Sequence, residues 1–213
     1  DRCNFRCTYC MPAEGMVWLD RSDVLTFEEI KRFAGICVEH FFVDGIRLTG
    51  GEPTVRAHLP ILVNQLAALR VPAHAPSAFA GKAPDIALTT NGATLRNVAH
   101  ELFTAGVSRV NVSLDTLQPE KFLAMTRRDE FHNVIAGIQE AQQAGFHPIK
   151  VNAVIERGTN DDEIVDLATF GRENNVEVRF IEFMPLDAEQ LKHVAPLVLF
   201  QDKLYLAKYW SLH

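Results

Sequence analysis

Residues 45–53, GIRLTGGEP, contain a short apolar strand that ends in a glycine turn, and this pattern decides the fold. Residues 85–92, DIALTTNG, repeat it with an apolar strand and a second glycine turn. Stretches of the same kind cover residues 109–114, 149–155 and 176–183. Short apolar runs between turn residues are typical of strands buried in a parallel sheet, and the sequence predicts five of them.

Helical patterns occupy the stretches between these strands. Thr26 and Glu29 have the capping-box spacing at the start of one helix. The apolar stripe predicted for that helix is Ile30, Phe33, Cys37 and Phe41. Further helices are predicted near residues 58–69, 95–105, 131–144 and 161–174. Alternating strands and helices predict an α/β protein with a parallel sheet. Counting one strand expected upstream of residue 1, six units suit a partial (β/α)6 TIM-like barrel, and an open doubly wound sheet is the alternative.

The composition is that of a single globular domain, with 47% hydrophobic and 23% charged residues in 213. Within it, the Ala- and Pro-rich residues 71–84 are predicted to be a surface insertion. The sequence changes character near its end. We therefore divide it into a core of residues 1–187 and a divergent tail of residues 188–213, to which no role is assigned.

The net charge of −6 argues against nucleic acid as a partner, because binding to long polyanions relies on a basic surface. No apolar run approaches the ~20 residues of a membrane span, so no membrane is expected either. Three of the four cysteines fall within the first ten residues, with a spacing that does not suggest disulfides. A reducing compartment is expected, either the cytoplasm or a reducing organelle matrix.

Cys3, Cys7 and Cys10 have the spacing C-x3-C-x2-C in the segment CNFRCTYC. A closed [4Fe–4S] cluster takes four thiolates, so three cysteines in one loop can hold a cluster and leave one iron open. A zinc site completed by Cys37 or His40 is an alternative, although Cys37 is predicted to be a core residue. Chance spacing is a second alternative.

The motifs at the other strand ends resemble those of the radical S-adenosylmethionine (SAM) superfamily. Within it they resemble the MoaA family, the GTP 3′,8-cyclases of molybdenum-cofactor biosynthesis. The cysteine motif belongs to the whole superfamily, whereas TRRD, KVN and RFIEFMP are specific to this family. The matching segments are CNFRCTYCMP from Cys3, RLTGGEPTVR from Arg47, LTTNG from Leu88, NVSLDTL from Asn111, MTRRDEF from Met125, KVNAVI from Lys150 and RFIEFMP from Arg179.

The resemblance implies a role for individual residues. The cluster ligands would be Cys3, Cys7 and Cys10. The SAM contacts would be Tyr9, Gly51, Glu52, Ser113 and Met184. The GTP contacts would be Arg47, Thr89 and Lys150. Taken singly, each residue beyond the cysteines also has an ordinary explanation as a turn, a strand end or packing. We expect all of them at the carboxyl ends of strands, where barrel enzymes have their active sites.

The resemblance also implies the reaction and the partners. The members of the family are lyases. In these enzymes the reduced cluster cleaves SAM to a 5′-deoxyadenosyl radical. That radical converts GTP to (8S)-3′,8-cyclo-7,8-dihydroguanosine 5′-triphosphate. The implied partners are GTP, an external electron donor, the downstream pyranopterin monophosphate synthase and a second copy in a homodimer.

Several features of the family have no counterpart in the sequence. One is the first barrel strand, with an arginine used for GTP. The others are a second cysteine trio in a C-terminal cluster domain and an arginine-rich stretch beside that trio, since the last cysteine here is Cys37. We expect a chain that is truncated at both ends. It should cleave SAM slowly, and its cyclisation of GTP should be very weak or absent.

Two other functions stay open at this point. One is a radical SAM enzyme of another substrate class, such as peptide modification, against which TRRD, KVN and RFIEFMP count. The other is a non-catalytic remnant that binds metal or nucleotide, which the missing second trio favours. Formation of 5′-deoxyadenosine would distinguish the enzymes from the remnant.

Overall fold

The computed structural model describes residues 2–184, in which five parallel strands form one sheet. The strands are β1 (Gly45–Leu48), β2 (Asp85–Thr90), β3 (Arg109–Ser113), β4 (Ile149–Ile155) and β5 (Glu177–Glu182). The helices are α1 (Phe27–Phe41), α2 (Leu59–Ala67), α3 (Leu95–Ala105), α4 (Pro119–Thr126), α5 (Phe131–Ala144) and α6 (Ile164–Glu173). The five predicted strands and five predicted helices are confirmed, and α4 has no predicted counterpart.

The strand order decides between the two predicted architectures. The strands follow one another across the sheet in chain order, and each pairs in parallel with the next. A doubly wound sheet reverses its order at a switch point, whereas a barrel adds every new strand on the same side. The fold is therefore a partial TIM-like barrel. The predicted sixth strand, upstream of residue 1, lies outside the described residues.

The two faces of the sheet differ in polarity, as β4 illustrates. Ile149, Val151 and Ala153 are buried, while the alternating Lys150 and Asn152 are partly exposed. Successive strand residues point to opposite faces. The buried face joins the helices in the main hydrophobic core. Polar side chains therefore remain on the concave face of the partial barrel.

Helix α1 begins at the predicted capping box, in which the Glu29 amide donates to Thr26 Oγ1 and the Thr26 amide donates to Glu29 Oε2. The apolar stripe predicted for it is wrong in part. Phe33 is 66% exposed and Phe41 is 72% exposed, whereas Val38 is completely buried. Apolar residues form more than one row along this helix. The row that contains Val38 is buried because of tertiary packing, which cannot be inferred from the sequence pattern of the helix alone.

Helices α3 and α5 pack at very close range. A Cβ atom added at Gly137 on α5 would lie 2.6 Å from the Gly92 carbonyl oxygen and 3.1 Å from Leu95 Cβ. Gly92 itself has a φ of 81°, which favours glycine. Glycine at both positions thus lets the turn after β2 approach α5.

The segment of residues 71–84 contains no helix or strand. The Val71 amide donates to the Lys82 carbonyl, which closes the loop, and Val71 and Ala75 pack against Val38 of α1. The prediction that it is an insertion stays a prediction, as do the domain bounds. The tail of residues 188–213 lies outside the described residues. In residues 2–184, no helix is long and apolar enough to cross a membrane.

Candidate functional site

The three clustered cysteines lie in a tight loop before α1. The Cys10 and Met11 amides both donate to the Cys7 carbonyl oxygen, at 3.0 and 2.9 Å, which closes a turn around Cys7. The Phe5 amide donates to Cys3 Sγ at 3.4 Å. All the thiols are free. The loop thus presents Cys3, Cys7 and Cys10 together as unpaired sulfur donors.

The thiols influence one another electrostatically. Burial raises the pKa of Cys7 to about 12, and the charges of Asp115, Cys10 and Cys3 act in the same direction. Burial also raises the pKa of Cys3, with contributions from Glu52 and Cys10. The raised pKa values favour the protonated thiols. A bound metal reverses this preference, because a coordinated thiol loses its proton. The negative charges that the three thiolates would carry can therefore be balanced by a metal centre.

The loop could in principle hold either of two kinds of metal centre, a single metal ion or a four-iron cluster. Within residues 2–184, no three His, Cys, Asp or Glu side chains are grouped to hold a single metal ion. The zinc alternative with Cys37 or His40 gains no support from that part of the chain. A four-iron cluster places each cysteine on a different iron, so its thiolates need not meet at one point. Three free thiols in one loop fit such a cluster and leave one iron for another ligand.

Glu52 connects the loop to the sheet. The residue is only 3% exposed. Oε1 accepts from the Thr54 amide at 3.0 Å, the Thr54 hydroxyl at 2.6 Å and the Thr90 hydroxyl at 2.7 Å. Oε2 accepts from the Asn91 amide at 2.6 Å, and the Glu52 amide donates to the Arg2 carbonyl at 2.7 Å. Glu52 therefore joins the GGEP turn, the end of β2 and the cysteine loop.

Asn91 strengthens this connection. Its Nδ2 donates to Asn4 Oδ1 at 2.7 Å and lies 4.0 Å from Cys3 Sγ. Its Oδ1 accepts from the Ala93 amide. One side chain at the end of β2 therefore contacts both a loop residue and a candidate cluster ligand.

Tyr9 connects the loop to β3 and β4. Its hydroxyl donates to Asp115 Oδ2 at 2.7 Å, while Asp115 Oδ1 accepts from the Val154 amide at 2.8 Å. Burial raises the pKa of Asp115 to about 6, although both hydrogen bonds act in the opposite direction. Ser113 is two residues away at the end of β3 and is partly buried. The predicted SAM contacts Tyr9 and Ser113 thus belong to neighbouring parts of the rim.

The predicted GTP residues lie on the concave face of the sheet. Strand register places Thr89 beside Asn111 and Asn111 beside Lys150. Arg47 Nη1 donates to Thr89 Oγ1 at 3.3 Å, and Lys150 Nζ lies 3.7 Å from Glu177 Oε2. Arg47, Thr89 and Lys150 are thereby brought onto one polar surface.

Lys150 corrects one expectation. It is the second residue of β4 and therefore lies near the amino end of its strand. The expectation that every candidate lies at a carboxyl end is wrong for this residue. The register with Asn111 nevertheless places it on the same face as Thr89, because the strands are staggered.

Two predicted SAM residues have few contacts. Gly51 is exposed in the turn after β1, and Met184 is 76% exposed beyond β5. The structure also shows residues that sequence reasoning did not select, although most lie in the quoted motifs. These residues are Thr54, Thr90, Asn91, Asp115, Arg127, Arg128 and Asn160.

Comparison with known proteins gives consistent matches. Residues 1–171 match the Radical SAM superfamily. Similar curated proteins are the GTP 3′,8-cyclases of Streptomyces coelicolor, 48% identical over 189 residues, and Acidothermus cellulolyticus, 50% identical over 189 residues. These matches cover 89% and 86% of this chain, and 52% and 49% of those relatives. The chain thus spans about half the length of the curated relatives it matches.

Solved structures show the same fold. HydG, a maturase of the [FeFe]-hydrogenase, has a TM-score of 0.69 at 12% identity, covering 93% of this chain and 45% of HydG. Streptococcus suis SuiB bound to S-adenosylmethionine has a TM-score of 0.66 at 16% identity, covering 98% of this chain and 42% of SuiB. At these identities the likeness shows the architecture alone.

Proposed function

Because the chain belongs to the radical SAM superfamily, we propose that it forms the SAM-cleaving core of a GTP 3′,8-cyclase. The observation that carries the proposal is the hydrogen-bonded connection of three separate motifs. Glu52 and Asn91 join the cysteine loop to the GGEP turn and to the end of β2. Such convergence of loops at one rim is how barrel enzymes assemble a site.

The proposed cofactors are a [4Fe–4S] cluster, held by Cys3, Cys7 and Cys10, and SAM at the iron that these cysteines leave open. When bound, they supply one-electron cleavage of the sulfonium bond to methionine and a 5′-deoxyadenosyl radical. The protein supplies orientation. Ser113, Tyr9, Gly51 and Met184 are the proposed SAM contacts. Glu52 is also a proposed contact, and the four hydrogen bonds to its carboxylate show that it also holds the rim together.

GTP is the proposed substrate. The support comes from the similar GTP 3′,8-cyclases and from the polar surface of Arg47, Thr89 and Lys150. Two cations on the same face as a hydroxyl can donate to a triphosphate, since charged hydrogen bonds to phosphate are among the strong ones. The proposed product is (8S)-3′,8-cyclo-7,8-dihydroguanosine 5′-triphosphate, on the route to molybdenum cofactor.

Further partners follow from the same proposal. One-electron cleavage of SAM requires an external electron donor, and the product requires a downstream pyranopterin monophosphate synthase. A homodimer is the proposed assembly. The four cysteines are all free, which supports a reducing compartment, either the cytoplasm or a reducing organelle matrix.

The first experiment tests the cluster and SAM. The 213-residue polypeptide is reconstituted anaerobically with iron and sulfide, reduced and assayed for 5′-deoxyadenosine. We expect an oxygen-sensitive cluster and SAM cleavage. Cys7→Ala should abolish both, while the matched control Cys37→Ala, outside the loop, should retain them. Full iron content in Cys7→Ala, or a protein that holds iron and has no affinity for SAM, would contradict the proposal.

The second experiment tests the nucleotide. A charged hydrogen bond is worth about 1.5–3 kcal/mol, so Lys150→Ala should weaken GTP binding by about 10- to 150-fold. The control is Lys82→Ala, an exposed lysine on the loop of residues 71–84. Calorimetry with GTP and with a peptide substrate analogue distinguishes the substrate classes. Equal GTP affinity in both variants would refute the assignment of this surface.

A further inference from the structure

The TRRD motif, residues 126–129, contacts the cysteine loop through backbone and side-chain hydrogen bonds that do not involve Glu52. The Arg6 amide donates to the Thr126 carbonyl at 3.0 Å, and the Thr8 amide donates to the Met125 carbonyl at 2.9 Å. Helix α4 ends there on Arg127, whose φ of 55° is left-handed. The chain changes direction at Arg127, and the residues at the end of α4 therefore lie against the cysteine loop.

The Arg127 side chain contacts two carbonyl oxygens of the loop. Its Nη1 donates to the Arg6 carbonyl at 2.9 Å and to the Met11 carbonyl at 3.3 Å. These two acceptors lie on either side of Cys7 and Cys10. One guanidinium therefore bridges the two ends of the segment that carries these cysteines.

Arg128 acts on the peptide next to Cys3. Its Nε donates to the Asn4 carbonyl at 2.9 Å. The amide of the same peptide unit belongs to Phe5 and donates to Cys3 Sγ at 3.4 Å. Hydrogen bonds in series polarise one another, so a cation on the carbonyl makes the amide a better donor. Arg128 thus strengthens a hydrogen bond to a candidate ligand sulfur.

In the described part of the chain, no carboxylate lies within ion-pair distance of these two guanidinium groups. Among residues 2–184, neither Arg127 nor Arg128 forms an ion pair, and both side chains donate to backbone oxygens. Arg127 is exposed and Arg128 is partly buried. Solvent therefore screens the charge of Arg128 less.

We propose that Arg127 and Arg128 are positioning residues that hold the cysteine loop, and that Arg128 also raises the reduction potential of the cluster that this loop carries. The inference rests on the proposed function, in which this loop binds a [4Fe–4S] cluster. Cluster potentials depend on net charge and on hydrogen bonds to the sulfurs. A cation beside the loop, and a stronger donor to Cys3 Sγ, both favour the added electron.

The test uses Arg128→Gln, which keeps much of the side-chain volume but loses the charge, and Arg128→Lys, which keeps the charge. Arg172→Gln is the control, since this exposed arginine at the end of α6 lies before β5, away from the loop. The first readout is hydrogen exchange of the apo-protein in residues 4–11. We expect exchange about tenfold faster in Arg128→Gln and wild-type exchange in Arg172→Gln.

The second readout is the reduction potential of the reconstituted protein, from an anaerobic titration followed by electron paramagnetic resonance. Arg128→Gln should have a more negative potential than wild type, and Arg128→Lys should recover part of the difference. Cluster affinity should fall by about 10- to 100-fold in Arg128→Gln, as for other residues that support metal ligands. A merely structural role would alter the affinity and leave the potential of the remaining cluster unchanged.

The outcomes separate this inference from the proposed function. Wild-type protein that takes up no iron contradicts the proposed function. Exchange in Arg128→Gln equal to that in Arg172→Gln overturns the loop-holding role of Arg128, whether or not a cluster binds. Equal potentials in wild type, Arg128→Gln and Arg172→Gln overturn the electrostatic role.

Discussion

Substituting Glu52 by Gln tests the connection on which the site depends. The change keeps the shape of the side chain and replaces one carboxylate oxygen by an NH2 group. Oε1 has three donors, from Thr54 and Thr90, and Oε2 has the Asn91 amide. The amide will orient its oxygen towards the three donors. Its NH2 group then faces the Asn91 N–H, so two donors meet without an acceptor.

The magnitude follows from these contacts. An unsatisfied buried donor costs about 1–3 kcal/mol, and a neutral acceptor is weaker than a charged one by roughly 1 kcal/mol per hydrogen bond. Removing a buried charge offsets part of this loss. We expect the free energy of unfolding to fall by about 3 kcal/mol, which for a protein of this size lowers the Tm by about 6–12 °C.

The assay is urea unfolding of the apo-protein under anaerobic, reducing conditions. Glu101→Gln is the matched control, because Glu101 is exposed on α3, and it should change stability by less than about 0.5 kcal/mol. SAM affinity of the reconstituted variants is measured in parallel. A Glu52→Gln protein as stable as Glu101→Gln would refute the reasoning. Lost SAM affinity at unchanged stability would make SAM contact, and not the rim, the main role of Glu52.

Three further substitutions test the fold and the rim. Gly137→Ala should destabilise the protein by about 1–3 kcal/mol, because the new methyl group meets the Gly92 carbonyl at 2.6 Å; higher stability, the usual result inside a helix, would contradict the close packing of α3 and α5. Thr26→Ala should cost about 1 kcal/mol by removing the capping box of α1, and unchanged thermal unfolding would show that tertiary contacts alone hold this helix end. Tyr9→Phe should cost about 1–3 kcal/mol in urea unfolding, since buried Asp115 loses a donor. A Tyr9→Phe variant of wild-type stability would show that water replaces the hydroxyl.

Sequence reasoning was most successful where the signal is local. Residues 149–155 and 131–144 were predicted with the bounds that the structure shows. Strands and helices differ in the period of their apolar residues, and that period can be read within a short window. The cysteine spacing is local in the same sense, because all three thiols lie in a loop of eight residues, 3–10.

Tertiary structure decided which distant residues meet. Glu52 and Asn91 are 39 residues apart, and Asn4 and Arg128 are 124 apart, so no pattern within a window connects them. Strand register placed Lys150 on the face of Thr89, although Lys150 lies near the amino end of its strand. The sequence alone determined the strands, every helix except α4, and the candidate ligands, since these follow from local spacing. Their partners, and the row of α1 that is buried, were decided by the packing of helices on the sheet, which brings separate segments into contact.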